Sequence, residues 1–125
     1  MNNFLPFVSL ILPIRNEATH IRGCLESIAQ QDFPHEQMEI IIADGLSTDN
    51  TKEVVETFKP SDIPLIWLDN PEKIVPTGLN LAIRQARGDV IIRVDGHTTL
   101  ASDYVQQCVL ALQCSGAENV GARMN

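Results

Sequence analysis

Apolar residues in this chain follow two alternating spacings. Predominantly apolar runs occupy residues 7–14, 38–43, 65–68 and 90–94. Runs this short, without a polar residue at every second place, fit strands covered on both faces of a parallel sheet. Between them the spacing changes to i, i+3, i+4, i+7, the mark of one buried helix face. Ile21, Cys24, Leu25 and Ile28 form the first set, and Thr51, Val54, Val55 and Phe58 the second. Leu79, Ala82, Ile83 and Ala86 form the third, then Val105, Cys108, Val109 and Leu112 the fourth. Asn16 is expected to cap the first helix, with Glu17 near its positive end. Ser47-Thr48-Asp49 is read as the start of the second helix. Gly88 is placed to end the third, and the fourth begins near Ser102.

The order is therefore βαβαβαβα with short connections, which predicts a single α/β domain. A mostly parallel sheet would carry helices on both faces. Right-handed crossovers spread the first three strands one way, and the fourth most simply returns beside the first. That places a switch point between the strands ending at Ile14 and Val94, where open α/β sheets bind ligands. The strand exits all carry acids: Glu17, Asp44, Asp69 and Asp95. The fourth exit, Asp95-Gly96-His97, adds an imidazole two residues after its carboxylate, and the intervening glycine lets both turn toward one ion. Its plainer reading is an Asp-Gly turn after a strand.

Charge narrows the partners. Nine basic against sixteen acidic residues give a formal charge of −7, which argues against nucleic-acid or anionic-membrane binding, where basic patches supply the affinity. Hydrophobic residues make up 44%, an ordinary share for a globular domain. Cys24, Cys108 and Cys114 lack metal-site spacing, and the first two fall on apolar helix faces, as in a reducing compartment. No stretch reaches the roughly 18 apolar residues of a membrane span, and residues 1–6 lack a signal peptide's parts. A cytoplasmic location is the expectation. The first strand exit has no G-x-G-x-x-G, and no G-x-x-x-x-G-K-[ST] or Ser-His-Asp arrangement stands out.

Four segments carry a family resemblance: Pro13-Ile14-Arg15-Asn16-Glu17; the run from Glu39 through Asp44-Gly45-Leu46-Ser47-Thr48-Asp49 to Thr51; Gly78-Leu79-Asn80 with Ala86-Arg87-Gly88-Asp89; and Val94-Asp95-Gly96-His97. In this order they resemble the family 2 glycosyltransferases, and they span nearly the whole chain. The resemblance implies a Rossmann-like GT-A domain, an inverting transfer, a nucleotide-diphosphate sugar donor and a divalent metal, Mn²⁺ or Mg²⁺. Carried over position by position, it places Pro13, Arg15 and Glu17 at the nucleotide's base and ribose. Asp44 is placed at the base, through a charge-assisted hydrogen bond to the uracil imide. Asp95 and His97 hold the metal, with Asp95 also on the nucleotide side, and Lys73, Arg15 and Arg93 are the candidate cations for the diphosphate. Asn80 matches a position near the donor, although Asn80 and Arg84 read better as solvent-facing residues at the start of the third helix. His20 and His35 read as solvated surface.

Two positions depart from the family pattern. Gly45 follows Asp44 where a second Asp is frequent, and His97 stands where D-x-D ends in an acid. Imidazole is a softer ligand, better suited to Mn²⁺ than to Mg²⁺. The acceptor's general base, an Asp or Glu in the family, normally lies downstream. The chain is therefore expected to be the donor-binding part of a longer enzyme, truncated before the acceptor half, with the catalytic residue unknown. The acceptor is not identified by the sequence, a saccharide or lipid-linked saccharide being the expected class, and the full enzyme could work at the cytoplasmic face of a membrane. The sheet edge left open is a candidate for self-association. Two other classes stay open: a nucleotide-sugar-binding module without transfer, and a sugar nucleotidyltransferase. The second normally needs a Gly-rich, basic loop after the first strand.

Overall fold

A computed structural model of the chain describes residues 5–115 apart from 59 and 61, with the side chains of 114 and 115 also left aside. The readings made on Cys114, on the first four residues and on the chain end lie outside these. The elements are β1 (Val8–Ile14), α1 (Ile21–Ala29), a 3₁₀ turn (His35–Gln37), β2 (Met38–Asp44), α2 (Thr51–Phe58), β3 (Leu65–Asp69), α3 (Val75–Gln85), β4 (Val90–Arg93) and α4 (Tyr104–Ser115). The sheet order is β3-β2-β1-β4, and every pair is parallel. This is the order that right-handed crossovers predict. Ile14 pairs with Asp44, and Asp44 with Asp69, so three strands end level. β4 pairs as far as Ile11 with Arg93, and the N–H of Val94 adds one more bond to the carbonyl of Ile11 at 2.9 Å. The switch point between β1 and β4 is as expected.

Alternation along β1 sends Leu10, Leu12 and Ile14 to one face and Ile11 to the other. The first face packs with Ile21, Leu25 and Ile28 of α1, Val55 of α2, and Val105 and Val109 of α4 into the larger core. The second face joins Ile11 and Ile41 to Ala82 of α3, with Leu79, Ile66, Leu68 and Ile91 partly buried around them. Cys24 and Cys108 are free and buried, as expected. Burial pushes the Cys24 thiol up to about 12, aided by Glu17 and Asp95, so it acts as a small apolar residue. Among the described residues no helix is long and apolar enough to cross a membrane.

Three local expectations change. α3 begins at Val75 with Pro76 in its first turn, a place where proline's missing N–H costs nothing. Asn80 is therefore mid-helix and Arg84 lies in the last turn, both exposed. Its sheet-facing side is narrower than the periodicity suggests: Gly78 and Ala82 are buried, while Ile83 is exposed. Gly88 does not end this helix, which stops at Gln85 with Ala86 extended at φ −68° and ψ 133°. Gly88 instead lies against β1, where an added Cβ would come within 2.6 Å of Ser9 Oγ and 2.7 Å of the Ser9 backbone N.

Beside that contact sits Glu39, fully buried. The Ser9 hydroxyl donates to its Oε2 at 2.6 Å, the Arg87 N–H at 2.8 Å, and Arg87 Nε–H to Oε1 at 3.1 Å. Gly88 N–H donates to Ser9 Oγ at 2.9 Å. The lock ties β1, β2 and the α3–β4 connection at the amino-terminal edge of the sheet, away from the strand exits.

Candidate functional site

A cleft of about 390 Å³ opens at the carboxyl ends of β1 and β4, within the size range of small-molecule sites. Pro13, Arg15, Glu17, Lys73, Asp95 and His97 all line it, together with Arg93. Six of the seven residues expected at the nucleotide and metal are thus brought to one wall. Asp44 is the seventh and is not on that wall. Its carboxylate is nearly buried and accepts from the N–H of Ser47 at 2.9 Å and from the Ser47 hydroxyl.

The β1 exit loop is tied down by an arrangement the sequence did not disclose. Asn16 does not cap α1, whose N-cap His20 makes no side-chain cap. It sits in the left-handed region at φ 56°, a conformation asparagine tolerates. Its Oδ1 accepts from the N–H groups of Thr48 at 2.7 Å and Asp49 at 3.3 Å. In return, Glu17 N–H donates to Thr51 Oγ1 at 3.0 Å and Ala18 N–H to Asp49 Oδ2 at 3.2 Å. Arg15 Nε–H reaches the Gly45 carbonyl at 2.9 Å. The exits of β1 and β2 are therefore tied to each other.

Gly45 has a steric reason. A Cβ there would lie 3.2 Å from both Arg15 Cδ and Lys73 Cα, so a second acid after Asp44 would require both neighbours to give by a few tenths of an ångström.

The Asp95-Gly96-His97 segment is a turn as well as a cleft wall. Thr98 N–H donates to the Asp95 carbonyl at 3.0 Å, and Cys24 Sγ–H to the same oxygen at 3.7 Å. A Cβ on Gly96 would lie 2.7 Å from Ile14 Cγ2 and 3.2 Å from Glu17 Cγ. Glycine is what lets the turn pack down while its two flanking side chains stay out: those of Asp95 and His97 are 49% and 61% exposed. Arg93 Nη2 stands 3.4 Å from Asp95 Oδ1, and His97 Nδ1 stands 3.6 Å from Glu17 Oε2.

Among the described residues no group of three or more His, Cys, Asp or Glu side chains is gathered to hold a metal. Asp95 and His97 offer two exposed donors.

Asn70, Ile74 and Val75 also line the cleft and were not singled out from the sequence. Ile74 and Val75 are exposed apolar residues, and an isoleucine preceding Val-Pro was the available signal. His35, expected to be solvated, is paired. Its Nδ1 lies 2.6 Å from Asp62 Oδ2 and its Nε2 3.2 Å from the Gln31 carbonyl, and the Asp62 contact raises its pKa. His20 is exposed as expected.

Comparison with known proteins decides the lineage. The sequence model described as Glycosyl transferase family 2 matches residues 9–124.

The chain belongs to glycosyl transferase family 2.

Among curated relatives of this family member, the succinoglycan biosynthesis protein ExoA of Rhizobium meliloti is 33% identical over 117 residues, covering 92% of this chain and 35% of that protein. Glycosyltransferase AglE of Haloferax volcanii is 29% identical over 125 residues, covering 99% of this chain and 41% of that protein. The chain therefore spans between about a third and two-fifths of these relatives' length. Among solved structures, a mannosyltransferase of Pyrobaculum calidifontis in complex with GDP-Man and Mn²⁺ superposes with a TM-score of 0.83 at 30% identity, covering 87% of this chain and 33% of that one. Staphylococcus aureus TarS 1-349 in complex with UDP gives 0.75 at 25% identity, covering 85% and 32%. The fold is that of the GT-A glycosyltransferases.

Proposed function

We propose that this chain is the donor-binding part of an inverting glycosyltransferase that takes a UDP-linked sugar, with a divalent cation, and serves polysaccharide or glycolipid synthesis. The observation that carries this reading is the cleft at the β1/β4 switch point, where Arg15, Lys73 and Arg93 face the same space as Asp95 and His97. Three cations in a chain of net charge −7 make that cleft the natural place for a diphosphate. The named complexes of the relatives with UDP, and with GDP-Man and Mn²⁺, support a nucleotide-linked donor and the metal.

In this reading Asp44 receives the uracil imide N–H. Ser47 holds the carboxylate's orientation through two hydrogen bonds, and an ionised carboxylate has acceptor sites to spare. Arg15 and Lys73 meet the phosphates, and Glu17 borders the ribose. Asp95 and His97 would hold Mn²⁺ or Mg²⁺, which neutralises charge on the departing nucleotide.

The exit acids are otherwise engaged: Glu17 with His97, Asp95 with Arg93, Asp44 with Ser47, and Asp69 with the Trp67 indole N–H at 3.2 Å. We assign the acceptor's general base to a part of the enzyme outside these 125 residues, so the isolated chain binds donor and transfers little. Saturation-transfer NMR across UDP-, GDP- and TDP-sugars tests the donor class. The expected result is signal from UDP-sugars at concentrations where the others give little. Equal signal from all three, or none, contradicts the reading.

A further inference from the structure

Asn70 stands at the foot of the loop that carries Lys73, and its surroundings are not those of a loop surface. It is 3% exposed. Nδ2–H donates to the Ile74 carbonyl at 2.9 Å, and Oδ1 accepts from the Thr77 hydroxyl at 2.8 Å. Its backbone N–H donates to the Asp44 carbonyl at 2.7 Å, and its carbonyl accepts the Lys73 N–H at 3.0 Å. One residue thus fastens the end of β2, the turn holding Lys73 and the first turn of α3. Gly78 closes in from the helix, where an added Cβ would stand 3.1 Å from Asn70 Nδ2.

Lys73 sits in the left-handed region at φ 67°. That conformation is strained for a residue with a Cβ and persists where the surroundings over-determine it. Its Cα also faces Gly45, whose carbonyl receives Arg15. The same fastening therefore sets the spacing of both cations. A lysine on an untethered loop would lose more freedom on gripping a ligand, and that loss would come out of affinity.

We propose that Asn70 is a positioning residue: by locking the loop over residues 70–75, it presents Lys73 to the diphosphate of the donor. This rests on the donor-site reading above. A merely structural peg under α3 would weaken folding and spare no ligand selectively. A positioning role predicts a loss confined to ligands that carry phosphates.

The test uses the whole chain with Asn70→Asp, which keeps the size and the acceptor toward Thr77 but loses the donor to Ile74 and adds a carboxylate, and with Thr77→Ala as a milder, uncharged variant that separates release of the loop from repulsion of phosphate. Amide exchange at Lys73 and Gly78 is read without ligand, and affinities for UDP and uridine are read by NMR titration. Asn70→Asp should speed Lys73 exchange about tenfold and raise the UDP Kd about tenfold, the size of one hydrogen bond. The uridine Kd should stay where it was. Lys73→Ala alone should cost a similar factor, and adding it to Asn70→Asp should cost little more, as coupled residues do. Thr77→Ala should move exchange and UDP affinity the same way by less. Additive losses, equal losses for uridine and UDP, or unchanged exchange in a chain that still binds UDP would each overturn the role of Asn70 alone. A native chain that binds neither UDP nor GDP would overturn the donor reading, and this role with it.

Discussion

Gly96 serves packing and chemistry at one position. Its missing Cβ lets the turn lie against Ile14 and Glu17, and the residues on either side are the two exposed donors. Gly96→Ala should cost about 1–3 kcal/mol, the range for overpacking, and urea unfolding would measure it. Asp44 poses a different question, since it stands off the cleft wall and is held by Ser47. If it reads the base, Asp44→Asn should weaken UDP binding by about 1.5–3 kcal/mol, as for a hydrogen bond to a charged group. Calorimetry on a folded variant showing native affinity would remove Asp44 from the site. The other six expected residues meet in the cleft because they sit at strand exits or in the loop beside them, and topology gathers those at one edge. Asn70, Ile74 and Val75 could not, because their path depends on Lys73 adopting a backbone angle that no side-chain pattern announces.

Among the elements, the four strands and the faces of α1, α2 and α4 follow their apolar spacing closely. The departures come where hydrogen bonding or close packing outweighs periodicity. α3 starts at Val75 because proline is welcome in a first turn, and Ile83 is exposed because Gly78 and Ala82 bring the helix down on a narrow face. Asn16 is the clearest case. Read as a cap for the helix after it, it bonds instead to the loop ahead of α2, so local spacing named the right residue type and the wrong partner. Asn16→Ala should lose two backbone hydrogen bonds and force alanine to φ near 56°. A loss of about 1–3 kcal/mol is expected, with Asn16→Gly milder because it loses the same hydrogen bonds without the strain. Thermal unfolding of the two variants side by side gives the comparison, and equal losses would contradict the strain component.

At the scale of the whole molecule, the Glu39 lock and the candidate cleft lie at opposite edges of one sheet. The amino-terminal edge is closed by Glu39. Burial pushes its carboxyl upward, but the Arg87 N–H, the Ser9 hydroxyl and the Arg87 guanidinium more than offset this, so the net shift is downward. A carboxyl depressed in the folded state contributes stability above its ordinary range, about 4.3, and loses it as pH falls through the lower folded value. Glu39→Gln should therefore lower stability at neutral pH and flatten the decline on acidification, as read by denaturant midpoints across the acid range. An unchanged slope would mean that other carboxyls dominate. The carboxyl-terminal edge carries the central claim, that a diphosphate and a divalent cation share the cleft between β1 and β4. The most direct measurement is calorimetric titration of UDP with and without Mn²⁺, and of Mn²⁺ with and without UDP, on the native chain and on Asp95→Ala and His97→Ala. Each ligand should tighten the other by the same factor, since linkage is reciprocal, and either substitution should remove most of that factor while the chain stays folded. UDP binding that ignores Mn²⁺, or coupling that survives both substitutions, would contradict it.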